Sequence, residues 1–380
     1  MKKDWSYWII ILSINVVFAQ QRKNDVSGFA DFFFLNKEYS NLIADGYTWA
    51  GFQGEAKYNH SITEKWRIMA GVHLQQLWGN NAITQIKPLF TLVYTSSSHQ
   101  FFIGFLDQSS RKKLWQPLYD PEHIYHFDKT ETGLQYLYNS PSTEGEIWLD
   151  WNRFIHFKDT VREIINFGTR WNKTMVSYQK ITIKWPLQLL IHHRGGQINL
   201  KGEYLTGKNN ILSVLSVGTG PEFIYKKDSL SEWVVFVRGL MHTMNSDNPE
   251  ELKFKKGYAV WMGSEWYSSN FHVGLEWWFA DQFNSPWGED IYMTASRRVD
   301  KYFDDNGEKL EIFSNYTEPQ RMLFINRLGY YKNITHQFLF QIGTEIFYQI
   351  NRGEIPGYDF IRPVENHWDV KMYIKMRYDF

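Results

Sequence analysis

The chain has 380 residues, a formal net charge of zero, no cysteine and 43% hydrophobic residues. These values exclude a disordered chain, a polybasic nucleic-acid-binding protein and a disulfide-stapled mini-domain. A mean hydropathy of −0.45 argues against a bundle of membrane-spanning helices. The chain nevertheless contains 17 Trp, 23 Tyr and 28 Phe, which is more aromatic surface than one ordinary core needs.

The N-terminus has the features of a secretory signal. Lys2 and Lys3 precede an apolar stretch that ends at Phe18 and is followed by a small-residue cleavage site. This stretch is too short to span a bilayer as a helix. The sequence therefore predicts a cleaved signal peptide over residues 1–19 and one exported domain over residues 20–380.

From Ser27 onward, segments of about ten residues alternate apolar and polar side chains, the period of a strand whose two faces meet different surroundings. In the last segment, Val370, Met372 and Ile374 alternate with Lys371 and other polar residues. A helix would mix these two sets around its circumference. We count 16 such segments, and we set the range at 14 to 18 because the first segment carries phenylalanine on both faces.

The connections between these segments alternate between short and long along the whole chain. The long connections include residues 108–130, 192–209 and 281–320. Lipid cannot hydrogen-bond a strand edge, so a sheet in a bilayer must close on itself. The sequence therefore predicts an all-β protein, a transmembrane antiparallel β-barrel with short periplasmic turns and long extracellular loops.

The C-terminal strand ends in Tyr378-Asp379-Phe380 and resembles the targeting segment of gram-negative outer-membrane β-barrel proteins. In that class, aromatic residues at the terminus and at alternate positions before it are read by the barrel-insertion machinery. The resemblance implies that Tyr378 and Phe380 serve as the targeting residues. It also implies a location in the cell outer membrane, in contact with lipid and lipopolysaccharide.

The polar faces of the predicted strands would line the interior, giving a porin-like channel for passive diffusion of small polar solutes, sugars or anions, with at most a weak anion preference. A plugged interior with paired charges is the alternative. Trp148, Trp278 and Tyr373 also fall on this face, where we expect them to pack against an inserted loop or to brace the wall. The lumen and selectivity candidates are Arg67, Lys87, Glu146, Asp150, Lys180, Lys184, Glu276, Glu345, Lys371, Lys375 and Arg377.

Two loops have distinctive compositions. The loop after the fifth segment could fold into the pore as a constriction, and the loop over residues 281–320 is predicted to be an acidic surface loop. We interpret His123, His126 and Asp128 as solvated loop residues and predict neither a metal site nor a cofactor. The constriction candidates are Arg111, Lys112, Lys113, Trp115 and Asp120.

No serine elbow, metalloprotease helix or phosphate-binding loop occurs, so the sequence predicts that the protein is not an enzyme. Barrel enzymes carry a serine and a histidine on the outer wall, or a carboxylate and a histidine at the rim. His192, His193 and Ser213 flank one long loop but form no motif. A docking barrel for a secretion, surface-polysaccharide or adhesion partner is the second hypothesis, and a rim hydrolase of lipid or glycan is the third. Oligomerisation is also expected to be compatible with the fold.

Overall fold

The computed structural model describes residues 24–120, 122, 130–156, 159, 161–196, 210–247, 254–296, 299–303, 309–313, 317–350 and 366–380. The predicted signal peptide lies outside the described residues. The strands of the wall are β1 (Asn24–Glu38), β2 (Tyr47–Ser61), β3 (Trp66–Leu77), β4 (Gln85–Thr95), β5 (His99–Phe105), β6 (Thr132–Ser140), β7 (Thr143–Arg153), β8 (Glu163–Tyr178), β9 (Ile181–Gly195), β10 (Leu212–Thr219), β11 (Glu222–Lys226), β12 (Glu232–Ser246), β13 (Lys256–Tyr267), β14 (Phe271–Asp281), β17 (Gln320–Asn333), β18 (Phe338–Ile350) and β19 (His367–Asp379). A separate hairpin contains β15 (Val299–Phe303) and β16 (Lys309–Phe313).

The wall is one antiparallel sheet that closes where β1 pairs with both β2 and β19. Strands β10 and β11 lie end to end between β9 and β12, and they are interrupted at Gly220 and Pro221. Proline cannot donate a ladder hydrogen bond, and Gly220 has a φ of +152° that a glycine tolerates. Counted as one broken strand, the pair gives a closed barrel of 16 strands, which confirms the predicted fold.

The two ends of the barrel differ. Gly28 and Phe380 exchange backbone hydrogen bonds at one end, which also carries the short turns; in outer-membrane barrels this is the periplasmic end. The long connections lie at the other, extracellular, end. The short turns cover residues 62–65, 96–98, 141–142, 179–180, 227–231, 268–270 and 334–337.

The outward side of the wall is apolar over its middle. Phe90 and Leu275 are each 61% exposed, as expected for side chains that face hydrocarbon rather than a protein core. None of the described helices is both long and apolar enough to span a bilayer.

The inside of the barrel contains two inward-folded segments, residues 106–120 and 282–296, which we call the plug. Leu118, Phe283 and Tyr292 of the plug are fully buried and belong to the same hydrophobic core as Trp148 and Trp278 of the wall. These two tryptophans pack against inserted loops, as predicted. The expectation of an acidic surface loop was wrong for residues 282–296, because apolar residues carry this part of the loop into the lumen.

Candidate functional site

Arg111 holds the first plug segment to the wall. Its Nε lies 2.7 Å from Glu131 Oε2, its Nη1 donates to Glu146, and its guanidinium stacks 3.9 Å from the Trp148 ring. Both partners are buried, and a buried charge needs a paired counter-charge. The constriction candidate Arg111 and the lumen candidate Glu146 are thus brought together as a structural ion pair.

Arg327 on β17 forms the second link between wall and plug. It binds Glu276 Oε1 at 2.6 Å and also Glu345, and it donates to Gln116 Oε1 at 2.6 Å and to Tyr292 Oη at 2.7 Å. Both carboxylates are among the lumen residues predicted from the sequence, whereas the arginine between them is not. The alternation of β17, which places Arg327 inward, was the signal that could have found it.

Two lysines and three carboxylates form a third cluster near the extracellular mouth. Lys37 Nζ lies 2.9 Å from Glu289, and Lys371 Nζ lies 2.8 Å from Glu122. Burial raises the pKa of Asp120, and the positive charge of Lys37 opposes this rise. The negative charges of Glu289 and Glu122 add to it, and the resulting pKa is about 7. The three acidic residues bring ligand atoms within 4.8 Å of one another, as a cation site would. Here the two ammonium groups supply the positive charge.

The remaining lumen candidates take separate positions. Lys375 Nζ contacts Asp31 at 2.6 Å, Arg377 contacts Asp379 at 2.8 Å, and Asp150 accepts from Asn166 at 3.2 Å.

A cavity of about 580 Å³ on the periplasmic side of the plug is lined by Lys112, Trp115 and Lys184, and Lys113 binds Glu144. Arg67 and Lys87 occupy inward positions on β3 and β4, in register with Val93 and His73. Tyr378 and Phe380 lie at the periplasmic end, with ring centroids 6.4 Å apart.

Lys180 is not in the lumen, contrary to the prediction. It lies in the exposed two-residue turn between β8 and β9, where its Nζ donates to the Lys227 carbonyl at 2.9 Å. The apolar–polar alternation of the sequence includes Lys180, but β9 begins only at Ile181, and Lys180 forms the turn together with Gln179, which adopts a φ of 49°. His123, His126 and Asp128 lie outside the described residues.

A serine and a histidine meet on the outer wall at the extracellular end. His193 on β9 is directly opposite Ser213 on β10, and its Nδ1 lies 2.8 Å from Ser213 Oγ. The neighbouring residues Leu190 and Val214 are buried inside, so strand alternation places this pair on the lipid-facing side. His193 precedes the end of β9 by two residues. The pair therefore lies near the boundary between acyl chains and headgroups.

The surroundings of this pair fix the imidazole. The ring covers Gly195, occupying the space that a side chain at Gly195 would need. Glu163 on β8 is opposite Gly195 and faces outward. Since β9 lies between β8 and β10, Glu163 and Ser213 are on opposite sides of His193. Ile191 and Ile211, which are 36% and 40% exposed, provide apolar neighbours. Three adjacent strands thus present a serine, a histidine and a carboxylate on one lipid-facing surface.

The chemistry of this arrangement is that of an activated nucleophile. A neutral imidazole that accepts the hydrogen bond of a serine hydroxyl can remove its proton during attack on an ester carbonyl. Sequence reasoning noted His192, His193 and Ser213 without pairing them. The pairing needs the register of β9 with β10, because 19 residues separate His193 from Ser213 in the chain. His192 faces the lumen instead, where the Trp287 indole donates to its Nδ1 at 3.1 Å.

Comparison with solved structures finds other outer-membrane barrels. OmpT of Vibrio cholerae has a TM-score of 0.49 at 9% identity, covering 95% of this chain and 99% of that chain. The anion-selective porin from Comamonas acidovorans has a TM-score of 0.49 at 9% identity, with coverage of 94% and 100%. The channel DcaP of Acinetobacter baumannii has a TM-score of 0.44 at 10% identity, with coverage of 96% and 99%. Comparison with curated proteins finds no match.

Comparison with protein families matches residues 20–380 to the family described as lipid A 3'-O-deacylase-type. The prediction that the protein is not an enzyme is therefore wrong, because this is an enzyme family. The error has a physical reason. Sequence motifs reveal catalytic residues that lie close together in one turn or helix, whereas a barrel brings together residues of adjacent strands that are far apart in the sequence. Because the match covers residues 20–380 of the 380, the chain belongs to the lipid A 3'-O-deacylase-type family.

Proposed function

We propose that this protein is an outer-membrane esterase that removes an acyl chain from a lipid of the lipid A class. Ser213 is the nucleophile and His193 is the general base. One observation carries the proposal: the hydrogen bond between these side chains on the lipid-facing surface near the extracellular end. The family match supports the ester substrate.

The reaction follows from the geometry. His193 takes the Ser213 proton as Oγ attacks the ester carbonyl. The protonated imidazole then gives that proton to the departing sugar oxygen, which leaves as a hydroxyl while the acyl group stays on Ser213. A water molecule, deprotonated by the same imidazole, cleaves the resulting acyl-enzyme and releases the fatty acid. Glu163 on β8 is opposite Gly195, which is two residues along the wall from His193. It makes no hydrogen bond to the imidazole among the described residues, so the proposal rests on Ser213 and His193 alone.

The interior of the barrel supports placing the function on the outer wall. The plug residues Leu118 and Tyr292 are fully buried. Arg111 of the plug binds Glu146 on the wall, and Arg327 on the wall binds Tyr292 of the plug as well as the wall residue Glu276. Four of the charged side chains predicted to line a diffusion channel are instead engaged in fastening the plug: Glu146, Glu276, Glu345 and Lys371.

Ester hydrolysis by purified variants tests the proposal. The folded protein in detergent micelles is incubated with lipid A, and released fatty acid is measured by mass spectrometry. We expect Ser213→Ala and His193→Asn to lower the rate by at least about 10³-fold, since each removes a member of the catalytic pair. The matched control is Ser216→Ala, because Ser216 lies on the same strand but faces inward and is 1% exposed. Unchanged hydrolysis by Ser213→Ala would refute the proposed nucleophile.

A further inference from the structure

A cavity inside the barrel, on the periplasmic side of the plug, has the size of a small-molecule site. Its volume is about 580 Å³. Lys113 and Trp115 of the plug form part of its lining, and wall strands in the interval from β7 to β17 form the rest. The side chains of Lys113 and Glu144 are 54% and 36% exposed, so water reaches this cavity.

Two basic side chains share one carboxylate at the first end of the cavity. Glu144 of β7 accepts from Lys113 of the plug and from Arg170 Nη2 of β8, the latter at 2.8 Å. The plug is held firmly at this point, because Gln188 of β9 donates to the Lys113 carbonyl at 3.1 Å and accepts from the Trp115 N–H at 2.9 Å. The two positive charges therefore keep their positions relative to the wall.

The same ratio recurs at the second end. Glu222 of β11 accepts from Arg238 Nη2 of β12 at 2.5 Å, and it is in register with Lys184 of β9, which faces inward beside it. The remaining carboxylates of the lining bind neighbouring side chains, Glu276 to Arg327 at 2.6 Å and Glu265 to the Tyr267 hydroxyl at 2.8 Å. The surplus of positive charge thus lies between β7 and β12.

Arg238 is fixed by aromatic rings that leave its edge available. Its guanidinium carbon lies 3.7 Å from the ring centroid of Phe236 and 4.6 Å from those of Trp115 and Trp261. Stacking of this kind uses the faces of the guanidinium group, whereas its N–H donors point outward in the plane. The stacked group is therefore oriented before any ligand arrives.

Both arginines retain a buried donor. Arg170 and Arg238 are 4% and 8% exposed, and neither Nε has an acceptor within hydrogen-bond distance among the described residues. A buried donor without an acceptor is costly. A carboxylate accepts two parallel N–H bonds from one guanidinium group, so it would satisfy this donor and add a charge of the right sign.

The spacing of the two arginines indicates a ligand with two acidic ends. From β8 to β12 there are three strand spacings around the wall, or about 14 Å. Glu144 holds Arg170 toward β7, which is the direction away from Arg238. One small ion is therefore badly placed to contact both guanidinium groups, whereas a longer molecule can reach each of them.

We propose that this cavity binds a small organic dicarboxylate from the periplasm, with one carboxylate at Arg170 and the other at Arg238. The site lies inside the barrel, whereas the serine and histidine of the proposed esterase lie on its outer wall. The proposal therefore goes beyond the esterase function and does not depend on it.

Calorimetric titration of the folded full chain in a nonionic detergent tests this inference. The probes are adipate, which carries a carboxylate at each end of a flexible chain, its uncharged diamide adipamide, and inorganic phosphate. We expect adipate to bind at least about tenfold more tightly than either of the other probes, because only adipate offers a charged acceptor to both arginines. Absence of adipate binding, or equal affinity for adipamide or phosphate, would overturn the proposal.

Variants locate the binding. Arg238→Gln should weaken adipate binding by at least about tenfold, the effect of one charge-assisted hydrogen-bonded pair. Lys180→Gln is the matched control, since it removes a positive charge from an exposed periplasmic turn outside the cavity and should keep the wild-type affinity. An unchanged affinity in Arg238→Gln, or an equal loss in Lys180→Gln, would contradict the assigned site. Should Arg238→Gln fail to fold, judged by heat-modifiable migration on gels, Lys184→Gln replaces it with the same expected loss, because it leaves the pair of Arg238 and Glu222 intact.

Discussion

The hydrogen bond between His193 and Ser213 on the outer wall depends on a neighbouring glycine. The His193 ring covers Gly195, and a Cβ at Gly195 would occupy the position of the ring atoms. Gly195 is the last residue of β9, and the choice of glycine there has a local reason. At this position, that reason is room for the imidazole that bonds Ser213.

Replacement of Gly195 by alanine should separate activity from folding. We expect Gly195→Ala to push the imidazole away from Ser213 and to lower lipid A hydrolysis by about 10²-fold or more, the usual contribution of a general base. The matched control is Gly239→Ala on β12, where the added Cβ meets no heavy atom closer than 4.0 Å. Both variants should migrate as folded barrels on unheated gels. Full activity in Gly195→Ala would contradict the assigned role of His193.

The individual site residues were less predictable from sequence than the fold. Alternation alone places His193 and Ser213 on the outward face, but only the β9–β10 register makes them neighbours. Lys180 was misplaced because a turn of two residues shifts where the alternation stops. Arg327 was overlooked although both of its carboxylate partners, Glu276 and Glu345, were selected.

The plug segments are fastened to the wall by charges as well as by apolar contacts. Glu289 of the second segment binds Lys37 of β1 and Lys371 of β19. Asp120, at the end of the first segment, lies 3.8 Å from Lys37. The two segments thus share one cluster at the mouth. Sequence reasoning anticipated the inward fold of the first segment, but the acidic composition of the second concealed its buried apolar residues.

The elevated pKa of Asp120 predicts how this cluster responds to pH. Burial is the main cause of the rise; the charge of Lys37 lowers the pKa, and that of Glu289 raises it. The resulting pKa is about 7, against 3.8 for an ordinary aspartate. A raised pKa means that the folded state favours the protonated carboxyl. Its stabilising contribution is complete below about pH 4 and is lost as the pH rises through about 7.

Thermal unfolding in detergent between pH 5 and pH 9 checks this dependence. We expect the melting temperature of the wild type to fall across this interval relative to that of Asp120→Asn, which cannot ionise. The difference between the two curves isolates Asp120 from other titrating groups. As a control, Asp228→Asn changes an exposed carboxylate in a periplasmic turn and should leave the curve parallel to that of the wild type. Parallel curves for Asp120→Asn would show that this carboxyl does not titrate in the interval.

The molecule as a whole combines a porin-like wall with a filled interior. The hydropathy pattern predicted closure and strand number well, because lipid outside and enclosed groups inside impose the same alternation on every strand. It could not predict whether the interior is open, because ion pairs that fasten a plug use the same residue types as a charged channel lining. Arg111 with Glu146, and Arg327 with Glu345, illustrate this ambiguity.

Conductance measurements distinguish a filled barrel from a channel. We expect the wild-type protein in a planar bilayer to show none of the steps of an open 16-stranded pore, because plug and wall share one hydrophobic core across the lumen. Arg327→Ala should introduce openings: it removes the contacts to Gln116 and Tyr292 of the plug and leaves Glu276 and Glu345 facing each other. The loss of one partner from a buried ion pair costs roughly 3–5 kcal/mol, enough to loosen the plug. Lys180→Ala, in an exposed turn, should conduct no more than the wild type. Stable steps in the wild type would show that solutes pass beside the plug.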